Sequence, residues 1–136
     1  MARTIELADG VYRIATDNYR LNTGLVLGLE RALVVDTGAG PRQATEIYDE
    51  VRRLTRLPIT VVNTHGHYER FFGNDVFAAM GVEEFWAHPR AARAIRKYGE
   101  AQRPYVETLE PEMAHKQGAA TNIVVPNRLV ANRGDG

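Results

Sequence analysis

The sequence predicts an α/β domain with a mixed β-sheet, and three observations lead to this prediction. Short apolar runs bounded by turn-prone residues fill much of the first forty positions. Segments with a helical spacing of apolar residues then alternate with further short apolar runs. The length of 136 residues suits one domain with a real core. We therefore expect a single domain over residues 1–136.

Three strands are predicted in the first forty residues, at positions 11–14, 25–29 and 32–35. The first of them follows the turn-prone pair Asp9 and Gly10. The polar residues Glu30 and Arg31 separate the other two runs, which suits a hairpin. These two runs are almost wholly apolar, as is expected of strands that are covered on both faces.

An amphipathic helix followed by a buried strand is predicted next. Pro41 opens the helix, and charged residues occupy most of the positions between its apolar ones. The apolar positions are Ala44, Ile47, Val51 and Leu54. Pro58 ends this segment, and the apolar run 59–62 leads the chain towards His65. This histidine therefore follows a strand in a β-α-β arrangement, at the end where open sheets usually build their sites.

The next segment repeats this alternation of helix and strand. Asn74 is predicted to cap a short helix over residues 75–80. A strand follows at 84–87, and Pro89 begins a longer helix. Beyond that helix the helical spacing of apolar residues weakens, and a long, partly helical segment is predicted. This segment ends in a short apolar run before Pro126.

Two histidines after the strand at 59–62 are the candidate metal ligands. His65 and His67 are two residues apart, and residues at this spacing in a strand point to the same face. Gly66 between them allows a tight turn, and Glu69 places a carboxylate two residues further on. Two imidazoles and a carboxylate form a donor set that suits Zn²⁺ and other first-row divalent metals. The alternative is a pair of surface histidines on a loop.

Composition argues against several other classes of protein. The 17 basic and 17 acidic side chains cancel, so the net charge points neither to a nucleic acid nor to a membrane as partner. The absence of cysteine excludes disulfides, thiolate zinc sites and cysteine nucleophiles. No secretory signal is visible at the N-terminus, and no apolar run approaches the length of a membrane span. We therefore expect a cytoplasmic protein.

The order of these motifs resembles the N-terminal half of the metallo-β-lactamase fold superfamily. The resemblance rests on the segment 33–38 (Leu-Val-Val-Asp-Thr-Gly), the helix after it, the segment 61–67 that ends in His-Gly-His, and the pair Gly73 and Asn74. It implies half of an αββα sandwich, in which a mixed sheet carries its helices on the outer face. It also implies one or two metal ions, usually zinc, and hydrolysis of an ester, amide, thioester or phosphodiester.

The resemblance also implies roles for individual residues. His65 and His67 match the ligands of the first metal. Glu69 stands where the family usually has an aspartate that binds the second metal and orients the attacking water. Arg70 stands where the family usually has another histidine; a guanidinium has no lone pair to offer, and its charge would repel a second cation. Asp36 matches an aspartate that lies beneath the metal loop and holds its backbone.

The resulting hypothesis is a zinc-dependent hydrolase of a small molecule. One Zn²⁺ ion would be held by His65, His67 and Glu69, with Glu69 also orienting water or taking its proton. The resemblance places the remaining ligands in a second half that lies outside this sequence, so a homodimer or a complementing C-terminal half would supply them. The alternative is a non-catalytic, truncated or degenerate half that acts as a dimeric or partner-binding module. His88 is expected to be a helix cap or surface residue, and His115 to be solvated.

Overall fold

A seven-stranded mixed β-sheet is the main element of the computed structural model, which describes residues 2–16, 22–109 and 122–130. The strands are β1 (Arg3–Ala8), β2 (Val11–Ala15), β3 (Asn22–Leu27), β4 (Ala32–Val35), β5 (Ile59–Asn63), β6 (Phe85–Ala87) and β7 (Arg128–Leu129). The helices are α1 (Pro41–Leu54), α2 (Tyr68–Phe71), α3 (Asn74–Ala79) and α4 (Pro89–Leu109). The predicted α/β class with a mixed sheet is confirmed.

The strands lie side by side in chain order, from β1 to β7. Neighbours from β1 to β4 are antiparallel, and neighbours from β4 to β7 are parallel. The predicted hairpin is the antiparallel pair β3–β4, in which Leu25 lies beside Val34. Helix α1 connects the parallel strands β4 and β5, where Val34 lies beside Val61. This β4–α1–β5 unit is the predicted β-α-β arrangement, and it brings the chain to the two histidines.

The core lies on one face of the sheet, where strands β3 to β6 bury apolar residues on a regular alternation. Leu25, Val34 and Val61 lie in one row across three adjacent strands, and all three are completely buried. Ile47 of α1 and Phe77 of α3 pack in the same cluster. The amphipathic spacing predicted for α1 therefore reflects the face that it buries against the sheet.

The opposite face of the sheet carries a second set of apolar residues. It consists of Val26, Leu33, Val35, Val62 and Trp86, which we call the open face. Val26 is 37 % exposed and the other four are partly buried. None of the five belongs to the hydrophobic clusters that the described residues form. The strands are thus apolar on both faces, as predicted, while the helices pack on one of them.

Three details differ from the sequence-based expectations. Strands β1 and β7 were not predicted. Most residues of β1 are exposed, and β7 has only two residues, so neither strand shows a clear pattern of buried apolar residues. Helix α4 continues to Leu109 through Pro104, beyond the point where the periodicity weakens. The prediction that Asn74 caps α3 is wrong: Gly73 precedes the helix, and the Asn74 side chain is fully buried in a polar network instead.

Candidate metal centre

The two histidines lie in a loop just beyond the sheet. Strand β5 ends at Asn63 and helix α2 begins at Tyr68, with His67 as the residue before its first turn. The same-face rule for strands, on which the prediction relied, therefore does not apply to them. The loop nevertheless brings both imidazoles to one pocket of about 450 Å³, which Glu69 and Arg70 also line.

A buried carboxylate supports this loop from below. Asp36 follows β4 with a left-handed backbone (φ 68°), and it is 3 % exposed. Its Oδ1 accepts a hydrogen bond from the backbone N–H of Thr64 at 2.8 Å, and its Oδ2 accepts one from the Thr64 hydroxyl at 2.7 Å. Burial raises the pKa of Asp36, while Thr64 and the Arg70 charge oppose this rise. Asp36 thus holds the backbone of the loop, as the resemblance implied.

Arg70 is the second partner of this carboxylate. Its Nη1 donates to Asp36 Oδ2 at 3.2 Å, and 32 % of its side chain is exposed, compared with 4 % for Asp36. Its carbonyl oxygen accepts hydrogen bonds from Thr37 N–H at 3.1 Å and Asn63 Nδ2 at 2.9 Å. The guanidinium therefore compensates a buried negative charge, so its repulsion of a cation in the pocket is weaker than the sequence alone suggests.

The hydrogen bonds of His65 determine which of its nitrogens is available. The Thr64 hydroxyl has one proton, which it donates to Asp36. Thr64 Oγ1 therefore accepts from His65 Nδ1, which lies 3.0 Å away. This network assigns the proton of a neutral His65 to Nδ1 and leaves the lone pair on Nε2. A histidine held in this way is a typical metal ligand, with its other nitrogen hydrogen-bonded outward.

His67 is held in the same manner by Glu69. Its Nδ1 lies 2.7 Å from Glu69 Oε2 and 3.0 Å from Oε1, so the carboxylate accepts the Nδ1 proton. The His67 side chain is 67 % exposed, whereas that of Glu69 is 19 % exposed. A neutral His67 consequently carries its lone pair on Nε2 as well. In this arrangement Glu69 orients a candidate ligand; its predicted roles as a ligand and base stay predictions.

A buried network of polar side chains lies at the start of the loop. Asn63 and Asn74 exchange amide hydrogen bonds of 2.7 and 3.1 Å. The Thr37 hydroxyl also donates to Asn74 Oδ1 at 2.7 Å, and Asn74 Nδ2 donates to the Val124 carbonyl at 3.0 Å. These bonds explain why Asn74 is buried instead of capping a helix.

Helix α4 lies against the outer side of the loop. Gln102 Nε2 donates to the carbonyl of Gly66 at 2.9 Å. A Cβ added at Gly66 would lie 2.5 Å from the Cβ of Ala94, which is shorter than any real contact of that kind. The close approach of α4 therefore requires glycine at position 66, in addition to the turn that the sequence suggested.

The remaining histidines lie outside the pair. Arg90 N–H donates to His88 Nδ1 at 3.0 Å, and His88 directly precedes α4, so it caps that helix as expected. His115 lies outside the described residues. Within the described ranges, no three His, Cys, Asp or Glu side chains are grouped so that they could hold a metal ion. His65 and His67 are two nitrogen donors of the kind that zinc binds, whereas a complete zinc site needs at least three protein ligands.

Comparisons with known proteins agree with this fold. The family model of the metallo-beta-lactamase superfamily matches residues 19–128. Because this match spans most of the sequence, the chain belongs to the metallo-beta-lactamase superfamily. The resemblance stated from the sequence is thereby confirmed, as is a sheet with its helices on one side.

Solved structures of metallo-beta-lactamases share the fold. The enzymes from Erythrobacter litoralis (solved with beta mercaptoethanol in the active site) and Hirschia baltica each superpose with a TM-score of 0.62 at 23 % identity. The DIM-1 metallo-beta-lactamase gives a TM-score of 0.61 at 17 % identity. Each match covers 72 % of this chain and 46 to 48 % of the other. The chain thus spans about half the length of the structures it matches.

Two site residues were not identified from the sequence. Thr64 connects Asp36 to His65, and Gln102 connects α4 to the loop. The position of Thr64 directly before His65 is a signal that could have been used. Gln102 carries no local signal, because its partner is 36 residues away in the chain.

Proposed function

We propose that this chain carries part of the zinc centre of a hydrolase that acts on a small molecule in the cytoplasm. The observation that supports this proposal is the pair of imidazoles in one pocket, each with Nδ1 engaged by an oxygen partner. Their Nε2 atoms are then the nitrogens that would bind zinc. A pocket of about 450 Å³ suits a small-molecule substrate.

The residues of this chain have separate tasks in the proposed reaction. When bound, zinc acidifies water and polarises the carbonyl or phosphoryl oxygen of the substrate. His65 and His67 would hold the ion, while Asp36 and Thr64 keep the first imidazole oriented. Glu69 keeps the proton of His67 on Nδ1 and also lines the pocket, where its carboxylate would orient the attacking water.

Glu69 is the predicted third ligand within this chain, and any further ligand must come from another polypeptide. The matched structures are about twice as long as the superposed part of this chain, so one source is a polypeptide equivalent to their remaining half. A second copy of this chain is the other source. Either arrangement would complete the open coordination that two imidazoles leave.

Zinc titration of single variants tests this proposal. We expect His65→Ala and His67→Ala each to weaken zinc binding by more than the roughly 10- to 100-fold that loss of an outer hydrogen-bond partner costs. The matched control is His88→Ala, which removes an exposed histidine that caps α4 and should leave zinc binding unchanged. Isothermal titration calorimetry measures all three. Equal affinities in all the proteins would refute the assignment of His65 and His67 as ligands.

A second candidate is a non-catalytic module that binds a partner through the open face. Two observations favour it: the described residues contain no group of three metal donors, and Val26 and its neighbours form a set of apolar residues outside the clusters. Metal content after purification without added zinc separates the candidates. Near-stoichiometric zinc supports the hydrolase, and metal-free protein supports the module.

Among the described helices, none is long and apolar enough to cross a membrane.

A further inference from the structure

A second pocket of about 540 Å³ lies next to the candidate metal centre, and the two pockets share His67. The second pocket is lined by His67, Tyr68, Tyr98, Ala101, Gln102 and Tyr105, and we call it the tyrosine pocket. Another pocket adjoining the centre contains His88 and Arg90. Three of the six residues that line the tyrosine pocket are tyrosines.

The wall of the tyrosine pocket is a stripe along helix α4. Tyr98, Ala101, Gln102 and Tyr105 have the spacing i, i+3, i+4 and i+7, which places them on one side of a helix. Gln102 in this stripe donates to the carbonyl of Gly66, so the stripe is tied to the histidine loop. This hydrogen bond places the stripe directly beside the loop that carries His67.

Ring contacts connect the pocket to the histidine. The ring of His67 stacks on Tyr68 with a centroid distance of 5.5 Å and an interplanar angle of 29°. Tyr68 in turn meets Tyr105 edge to face at 5.6 Å and 64°. Tyr98 and Tyr105 are 53 % and 57 % exposed, so ring surface remains accessible to a ligand. Exposed aromatic rings bind other flat rings through stacked or edge-to-face contacts.

The charge of the pocket restricts the ligand further. The only formally ionisable groups among its lining residues are the imidazole and the tyrosines. The Lys97 ammonium lies 5.3 Å from the centre of the Tyr98 ring and is occupied there by a cation–π contact.

We propose that the tyrosine pocket binds an uncharged aromatic ring of the molecule whose bond is hydrolysed at His65 and His67. The proposal names a substrate class and, in that respect, rests on the proposed function. The binding step itself needs no metal, because the ring contacts belong to Tyr98 and Tyr105. The site therefore selects substrates that carry an aromatic group close to the scissile bond.

The test is binding of 2-phenylethanol to the ¹⁵N-labelled, metal-free chain, followed by NMR. We expect saturable shifts of the backbone amides of Tyr68, Ala101 and Tyr105, and weaker binding of the non-aromatic analogue 2-cyclohexylethanol. Tyr98→Ala and Tyr105→Ala should each weaken 2-phenylethanol binding by about five- to tenfold. Tyr98→Phe should retain binding, since it keeps the ring. Met80→Ala is the control, because Met80 is also 53 % exposed and lines a different pocket.

Each outcome of this experiment either supports or overturns the proposed binding of an aromatic ring. Shifts at the pocket that Tyr98→Ala weakens and Tyr98→Phe preserves support the proposal. The absence of saturable shifts overturns it, as does equal binding by the wild type and both alanine variants. The dispersion of the spectrum shows for every variant whether the chain is folded. If the wild-type chain binds 2-phenylethanol and does not bind zinc, the zinc centre alone is refuted. If it binds zinc and does not bind 2-phenylethanol, the tyrosine pocket alone is refuted.

Discussion

Arg70 shows how a residue that cannot bind metal still belongs to the site. It stands where the superfamily usually has a histidine, and its guanidinium lies 3.2 Å from the buried carboxylate of Asp36. Removing it would leave that carboxylate with Thr64 as its partner among the described side chains. The residue at position 70 can therefore serve in two ways: an arginine compensates the buried charge of Asp36, and a histidine would provide a metal ligand.

The variant Arg70→His separates these two demands. It adds a potential nitrogen ligand and should increase zinc affinity if Glu69 is usable as a further ligand. It also removes the ion pair of Asp36, which should lower the free energy of unfolding by about 1–3 kcal/mol. Zinc titration and urea unfolding measure the two effects.

Arg70→Lys is the matched control, because lysine keeps the positive charge and adds no ligand at neutral pH. It should lose less stability than Arg70→His and should not gain zinc affinity. An unchanged zinc affinity in Arg70→His would mean that the second-metal position is lost for another reason, most simply because the remaining ligands are missing.

The packing of helix α4 on the histidine loop is the main feature at the level of elements. An added Cβ at Gly66 would meet Ala94 Cβ at 2.5 Å, and it would lie 3.3 Å from Ala91 O and from Ile95 N. We therefore expect Gly66→Ala to push α4 away from the loop and to destabilise the chain by about 1–3 kcal/mol. Zinc binding should weaken as well, because the loop carries both histidines.

A compensating change in α4 makes this prediction specific. Ala94→Gly removes the atom nearest to the added Cβ, so the double variant should regain part of the stability and zinc affinity lost in Gly66→Ala. Ala94→Gly alone should cost about 1 kcal/mol through helix propensity. Additive effects in this double-mutant cycle would show that the two residues are not coupled, contrary to the expected contact.

Local patterns explain which elements could be predicted from the sequence. The β4–α1–β5 unit was predicted because α1 has regular helical spacing and both strands are short apolar runs. Strand β1 was missed because five of its six residues are exposed and its register shifts between Glu6 and Ala8. Strand β7 has only two residues, both exposed. Such edge strands are defined by pairing with a neighbour, which leaves little trace in their own sequence.

The candidate site was predictable to a similar extent. His65, His67 and Asp36 could be recognised from motifs, and in the structure Asp36 bonds to the loop that carries both histidines. The hydrogen bonds that orient the imidazoles could not be derived, because they depend on side-chain positions in the folded loop. Asn74 shows the same limit, since its partners Thr37 and Asn63 lie 37 and 11 residues away.

The open face concerns the molecule as a whole. Helices cover the side of the sheet that carries Val34 and Val61, whereas Val35 and Val62 belong to the other side. A contiguous exposed apolar surface on a soluble protein usually marks an interface. Burial of apolar surface contributes about 25 cal/mol per Å² before the entropy cost of association is subtracted. Two sheets packed face to face, about 10 Å apart, would satisfy this requirement.

We expect this chain to form a homodimer through the open face when no complementing half is present. Trp86 lies on that face and is the only tryptophan of the sequence, so its fluorescence reports on the interface. Sedimentation at micromolar concentrations should show a dimer, and dilution should shift the Trp86 emission to longer wavelengths as the face becomes wet. Val26→Lys and Val62→Lys should each shift the equilibrium to monomer, because a charge would be buried between the sheets.

Leu29→Lys is the control for these variants, because Leu29 is 99 % exposed in the turn between β3 and β4 and lies outside the open face. It should leave both the dimer and the emission unchanged. A monomer at micromolar concentrations, with emission independent of dilution, would contradict the homodimer. A dimer that Val26→Lys and Val62→Lys leave intact would place the interface elsewhere on the molecule. A dimer that dissociates when a polypeptide equivalent to the remaining half of the matched structures is added would show that both partners compete for the same face.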